Sequence, residues 1–225
     1  MDSDGFKHVL GVQEGSSENS KVVIDLLNNM VKRGVKNDRL RLFIIDGSKA
    51  LRCGITSVFG KENPVQRCRI HKLRNVLSYL PKDLHSQVES TMKAAYQLET
   101  KAGKEKLNRL ADWLEKEHAS AAGSLREGLD ETFTINELKL PKELRRCLGT
   151  TNAIESPNSG IRSRTRRVKK WKDSTMVVRW VAASLLDMEK NFRRIMGFKH
   201  LWILDTKLRE LAGEDLAIDS DEAVA

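Results

Sequence analysis

The chain has 225 residues, 40% of them apolar and 32% charged, with a formal net charge of +9. That is enough for a core that folds without disulfide support, too little for two full domains, and too rich in Leu, Ile and Val for disorder. No apolar run approaches the ~18 residues needed to cross a bilayer, because Arg179 and Asp187 interrupt the best candidate at residues 177–188. The opening Met-Asp-Ser-Asp-Gly has neither the basic nor the apolar stretch of a secretory signal. Three scattered cysteines suit a reducing compartment rather than a disulfide framework. The expectation is a cytoplasmic protein with no membrane partner.

In chain order, the Asp4-Gly5 turn dipeptide is followed at residues 6–12 by a mixed apolar and polar segment that reads as a strand. A helix is expected from Glu18, capped by Ser16 or Ser17, with Val22, Val23, Leu26, Leu27 and Met30 at helical spacing until Gly34 ends it. Residues 40–45 read as a buried strand closing on Asp46-Gly47. Helical spacing returns at residues 48–59 (Leu51, Ile55, Val58, Phe59), and residues 64–68 allow another short strand. Strand alternating with helix predicts an α/β unit.

From His71 to Arg146 the strong signals are helical: Leu73, Val76, Leu77 and Leu80, then Val88, Met92, Ala95 and Tyr96, then Leu107, Leu110, Trp113 and Leu114. Such a stretch forms an all-helical insertion if the chain later returns to the α/β core. A helix is expected from Asn152. Another is expected over residues 174–196, with Met176, Val177, Trp180, Val181, Ser184 and Leu185 on one face. Pro157 falls about five residues into the helix after Asn152, where a proline forfeits a backbone hydrogen bond at ~3 kcal/mol, so a kink that displaces Glu155 is expected.

The positive charge is local. Residues 158–199 hold twelve Lys or Arg against three Asp or Glu, a surplus equal to that of the whole chain. Residues 162–172 hold seven cations and no anion, whereas residues 205–225 hold seven acids and two bases. One reading is a solvated helix face; the other is a polyanion-binding surface followed by an acidic tail. An uncompensated cluster of seven repels itself unless phosphates neutralise it, which favours nucleic acid as partner, with salt-sensitive affinity.

Asp46 lies at the carboxyl end of a buried strand, where α/β folds place ligands, although an acid there also starts and caps the next helix. Asn152 and Glu155 fit a capping box, yet Asn158, Arg162, Arg164 and Arg166 follow, as expected where a phosphate backbone passes a metal-binding carboxylate. Cys68 and His71 form Cys-x-x-His, at most half a zinc site. Cys53 and Cys147 lack paired spacing, so packing or hydrogen bonding is the favoured role. No glycine-rich nucleotide-binding loop and no Gly-x-Ser-x-Gly elbow is present.

Three segments together resemble the Mutator-type bacterial insertion-sequence transposases: Phe43-Ile44-Ile45-Asp46-Gly47, Val65-Gln66-Arg67-Cys68-Arg69-Ile70-His71-Lys72-Leu73-Arg74-Asn75-Val76, and Thr150-Thr151-Asn152-Ala153-Ile154-Glu155-Ser156 with the Arg-rich residues after it. The opening from Asp4 to Gly11 and the region from Trp180 to Trp202 also resemble that family. The Cys-x-x-His segment is the most specific part.

The resemblance implies a ribonuclease H-like fold interrupted by a helical insertion. It also implies three acids holding two Mg²⁺ (or Mn²⁺) ions that activate water or a DNA 3′-hydroxyl for attack on a phosphodiester. Hard divalent ions need oxygen ligands, and paired ions stabilise both the attacking and the leaving oxygen. Asp46 then matches the second acid and Glu155 the third, with Cys68, His71 and Asn152 as family-motif residues near the site. Arg162, Arg164, Arg166, Arg167, Lys169 and Lys170 would contact DNA.

The family's first acid lies on a strand before residues 6–12, and neither Asp2 nor Asp4 matches it. The expectation is therefore an α/β protein with an incomplete ribonuclease H-like core at residues 1–70 and a helical insertion at 71–149. The catalytic-Glu helix and basic segment would cover 150–173, C-terminal helices 174–212 and an acidic tail 213–225. A fragment of this kind is expected to be inactive alone and, in the intact enzyme, to form a homo-oligomer on DNA. The competing reading is a catalytically dead DNA-binding or transposase-interacting protein.

Overall fold

A computed structural model describes residues 1–15 and 19–214. The Ser16 and Ser17 caps, the start at Glu18 and all but the first two residues of the 213–225 tail lie outside them. The first helix, α1, runs over Ser20–Lys32 and is capped by Asn19, whose side chain accepts from Val22 N–H at 3.0 Å. After it come β1 (Phe43–Ile45), α2 (Lys49–Phe59) and β2 (Val65–Arg67). The two strands are parallel, Phe43 opposite Val65 and Ile45 opposite Arg67. α2 covers them through Ile55 and Phe59, with the Phe59 and Phe43 rings 5.2 Å apart.

Residues 6–12 are not a strand. A strand needs a ladder partner, and the sheet consists of β1 and β2. The segment's polar groups turn instead to the C-terminal region and α1. Val9 N–H donates to Glu189 at 3.2 Å, Ile195 N–H donates to Gly5 O at 3.0 Å, and Arg33 donates to Leu10 O.

The helical stretch comprises α3 (Arg69–Leu77), α4 (Lys82–Ala95), α5 (Thr100–Glu115) and α6 (Ala119–Arg126). Their apolar faces meet in one core that includes Val76, Val88, Met92, Leu107, Leu125 and Phe133. Trp113 departs from the expected face and is 42% exposed. A 3-10 turn at Asp130–Thr132 leads to α7 (Thr134–Glu137) and α8 (Lys142–Leu148). Those two belong to another core: Ile135, Leu144 and Leu148 pack with Ile195, Leu201 and Leu204, against Ile44 of the sheet. α7 and α8 thus share their core with the last helix rather than with α3 to α6.

α9 (Asn152–Thr165), α10 (Ser174–Glu189) and α11 (Leu201–Ala212) complete the chain. α9 packs on α10. The buried residues of α10 are Ser184, Leu185 and Met188, whereas Trp180, expected on that face, is 43% exposed. The fold is thus mixed α/β, mostly helical, with a small two-stranded parallel sheet. No helix among the described residues is long and apolar enough to cross a membrane.

Candidate active site

Parallel strands deliver the residues that follow them to one edge of the sheet. Asp46 follows β1 and Cys68 follows β2, and Cys68 N–H donates to Ile45 O at 2.7 Å. Asp46 Oδ1 accepts from Ser48 N–H at 3.0 Å, and Ser48 Oγ in turn accepts from Leu51 N–H at 3.2 Å. Ser48 is therefore the cap of α2, and Asp46 shapes the turn before it. The second Asp46 oxygen has no hydrogen-bond partner among the described residues, and Asp46 lines an open cleft together with Ser48, Arg67, His71 and Asn75. Gly47 has φ of +110°, and a Cβ there would overlap the Arg67 guanidinium, so the turn requires glycine both for its backbone and for its space.

Glu155 comes to this edge from a distant part of the sequence. Arg69 N–H donates to Gly149 O at 3.0 Å, joining the start of α3 to the turn before α9. In that turn Thr151 is buried, and its N–H donates to Cys68 Sγ at 3.4 Å. The Thr151 hydroxyl donates to Glu155 Oε1 at 2.5 Å and lies 3.3 Å from both Cys68 Sγ and His71 Nδ1. A hydroxyl has one hydrogen to give. That hydrogen goes to Glu155, the shortest of the three contacts. His71 Nδ1 is also 3.7 Å from Glu155 Oε1. Hydrogen bonds thus run from Ile45, beside Asp46, through Cys68 and Thr151 to Glu155, while His71 borders both the Asp46 cleft and Glu155.

Two local expectations are corrected. Thr151 is the N-cap of α9 and Asn152 its first residue, so Glu155 sits one position too late for a capping box with the actual cap; Asn152 is exposed, and its side chain makes no hydrogen bond to Glu155 among the described residues. The helix also continues through Pro157, and Glu155 is held by Thr151 rather than displaced. The carbonyl deprived of its N–H donor by Pro157 belongs to Ala153, an exposed residue of the first turn. An orphan carbonyl on an exposed first turn is open to solvent, which lowers the usual cost of an interior proline.

Cys68, His71 and Glu155 form the one cluster among the described residues with metal-ligand potential, their donor atoms all within 4.8 Å of one another. Cys53 and Cys147, considered as further ligands, take no part in it. Structural zinc needs four closed ligands; here the Thr151 hydroxyl touches all three groups. The arrangement is a hydrogen-bonded hub, with Cys68 at 0% exposure. Hard-cation chemistry is offered instead by oxygens: the second oxygen of Asp46 and that of Glu155 have no protein partner among the described residues. Their type and freedom fit Mg²⁺ or Mn²⁺.

Arg162, Arg164, Arg166, Arg167, Lys169 and Lys170 are all exposed. They are not equivalent. Arg162 is seven residues beyond Glu155, on the same side of α9 and about 10 Å along the axis. Arg164 is nine residues beyond, about half a turn around. It faces α10, where its guanidinium donates to Asp187 at 2.9 and 3.2 Å.

A second charged group, which sequence reading did not single out, braces the sheet against the helical insertion. Arg67 pairs with Glu127 at 3.1 Å and donates to Gly47 O at 3.4 Å. Lys72, at 0% exposure, donates to Ser124 O at 2.6 Å and to Glu127 O. Burial, reinforced by the Arg67 charge, lowers its pKa to about 8. Burial likewise lowers Arg69 to about 10; its guanidinium lies 4.4 Å from the Tyr96 ring centroid and donates to Asn136 Oδ1 at 2.6 Å. Arg67, Arg69 and Lys72 carry no local signal of burial, since their partners lie 20 or more residues away.

The description "Transposase, Mutator family" matches residues 1–195. The chain is 28% identical over 167 residues to the transposase for insertion sequence element ISRM3 of Rhizobium meliloti, covering 73% of this chain and 40% of that protein. To the transposase for IS6120 of Mycolicibacterium smegmatis it is 31% identical over 169 residues, covering 74% and 50%. To the transposase for IS256 in transposon Tn4001 of Staphylococcus aureus it is 25% identical over 188 residues, covering 82% and 47%. The chain thus spans about half the length of the curated relatives it matches. On the match over residues 1–195, the chain belongs to the Mutator family of transposases.

Proposed function

We propose that this chain carries part of the catalytic region of a DNA transposase, with a ribonuclease H-like core to which Asp46 and Glu155 contribute two of three metal-binding acids. The observation that carries the reading is the convergence of the two acids, 109 residues apart in sequence, on the carboxyl edge of a parallel sheet through Cys68 and Thr151. When bound, Mg²⁺ or Mn²⁺ would stabilise the charge that develops on the attacking and leaving oxygens of a phosphodiester. Asp46 and Glu155 hold the ions, and the exposed cations along and beyond α9 hold the DNA backbone beside them. The DNA is that of mobile-element ends and target, and the working enzyme is a homo-oligomer.

Residues 1–225 supply two acids where the chemistry takes three, so the 225-residue polypeptide by itself does not cut or join DNA. Loss of a metal ligand weakens electrostatic stabilisation worth several kcal/mol, and each 1.36 kcal/mol is tenfold in rate. The test is strand transfer in Mg²⁺ by a polypeptide extended upstream to include a further strand bearing an Asp. Activity is expected only in the extended form and is abolished by Asp46→Ala or Glu155→Ala. Strand transfer by the 225-residue chain, or an extended form indifferent to both substitutions, refutes the assignment. DNA binding without strand transfer in either form favours a catalytically dead DNA-binding protein.

A further inference from the structure

We propose that Thr151 and His71 are positioning residues that pre-orient the Glu155 carboxylate for a divalent cation, an inference that rests on the reading of Glu155 as a metal-binding acid. Thr at a helix N-cap ordinarily turns its hydroxyl to a backbone N–H of the first turn. Thr151 does not: its φ and ψ are −85° and 12°, and its side chain makes no capping bond. The hydroxyl is diverted, at the cost of a cap worth about 1 kcal/mol, to donate to Glu155 Oε1 at 2.5 Å. A hydrogen bond to a carboxylate of this length is of the strong, charge-assisted kind.

Thr151 is itself held from two sides. Its N–H is bound to the fully buried Cys68 Sγ, and its Oγ1 is 3.3 Å from His71 Nδ1. Cys68 directly follows β2 and caps α3, on which His71 stands, so the hub carries the position of the sheet edge over to α9. One Glu155 oxygen is engaged and the other is left with no protein partner among the described residues. An exposed glutamate loses about 1.5–2 kcal/mol of rotamer freedom when a ligand fixes it. Here Thr151 has already restricted the rotamer, so a cation taken up by the second oxygen meets a smaller cost. The Cys-x-x-His spacing thereby acquires a role other than zinc binding: one residue holds the Thr151 backbone and the other its hydroxyl.

The test uses the 225-residue chain and Mn²⁺, followed by paramagnetic broadening of the Gly47 and Ser156 amide resonances. Wild type is expected to show broadening that saturates at both positions and is lost in Glu155→Gln. Thr151→Val, which replaces the hydroxyl with a methyl group, weakens the Mn²⁺ affinity about tenfold with an unchanged thermal midpoint. Thr151→Ser restores it. His71→Gln weakens it by a smaller factor and carries the test if Thr151→Val does not fold. Wild-type affinity in both Thr151→Val and His71→Gln, alongside loss in Glu155→Gln, overturns the positioning role while sparing the metal-binding role of Glu155. Broadening that is absent in wild type, or that survives Glu155→Gln, overturns both. An ion centred on Cys68 and His71 that persists in Asp46→Ala overturns the hub in favour of a soft-metal site.

Discussion

Replacing Arg162, Arg166, Arg167, Lys169 and Lys170 together by Ala should remove most of the salt-sensitive affinity of the chain for duplex DNA. All five are exposed, and none is in an ion pair among the described residues. Each phosphate they neutralise contributes about 0.9 to the slope of log affinity against log salt. Between 50 and 200 mM salt that amounts to about 3.5-fold per contact, or roughly 500-fold for five full contacts. Arg164 should behave differently, because Asp187 already neutralises it at 2.9 Å. Arg164→Ala is expected to change the slope by less than half as much as Arg162→Ala, and Asp187→Asn, by freeing Arg164, to steepen it. Fluorescence anisotropy of a labelled duplex over a salt series reads all of these. If the five-residue variant keeps its affinity and slope, or if Arg164→Ala is as damaging as Arg162→Ala, phosphates are bound elsewhere.

Two other predictions concern stability. The folded-state pKa of Lys72, about 8, lies below its ordinary 10.5, so between these values the unfolded chain binds the extra proton and rising pH favours the folded state. Burial of charged Lys72 opposes folding fully below about pH 8 and is relieved towards pH 10.5. The stability of wild type relative to Lys72→Met, from urea unfolding, should therefore rise across that window; a flat difference refutes the shift. Gly103→Ala in α5 would gain about 1 kcal/mol in an open helix. Here its Cβ would lie 2.6 Å from Ala95 O and 2.5 Å from the Phe133 ring, and overpacking of a filled core costs about 1–3 kcal/mol. A net loss of stability is expected, and a thermal midpoint above wild type would show that the α4–α5 contact yields.

Local pattern determined much of this protein. The apolar run before Asp46, the helical spacing from Leu51 to Phe59 and the sequence of apolar faces from Val76 to Leu114 specify β1, α2 and the helical core, because burial requires periods of two and 3.6 that neighbouring residues display. The cation-rich stretch after α9 was equally visible, since charge needs no partner to be counted. Tertiary structure decided what depends on partners distant in the chain. Residues 6–12 have the composition of a strand but no ladder to join. Trp113 and Trp180 follow the helical period yet remain exposed, because a helix has more apolar positions than its neighbours can cover. Arg164 is spent on Asp187 of the next helix. Thr151 shows nothing in the sequence beyond its place in the motif before Asn152 until Cys68 and His71, some eighty residues earlier, arrive beside it. A hydroxyl takes whichever partner the fold brings within reach, and only packing determines which one that is.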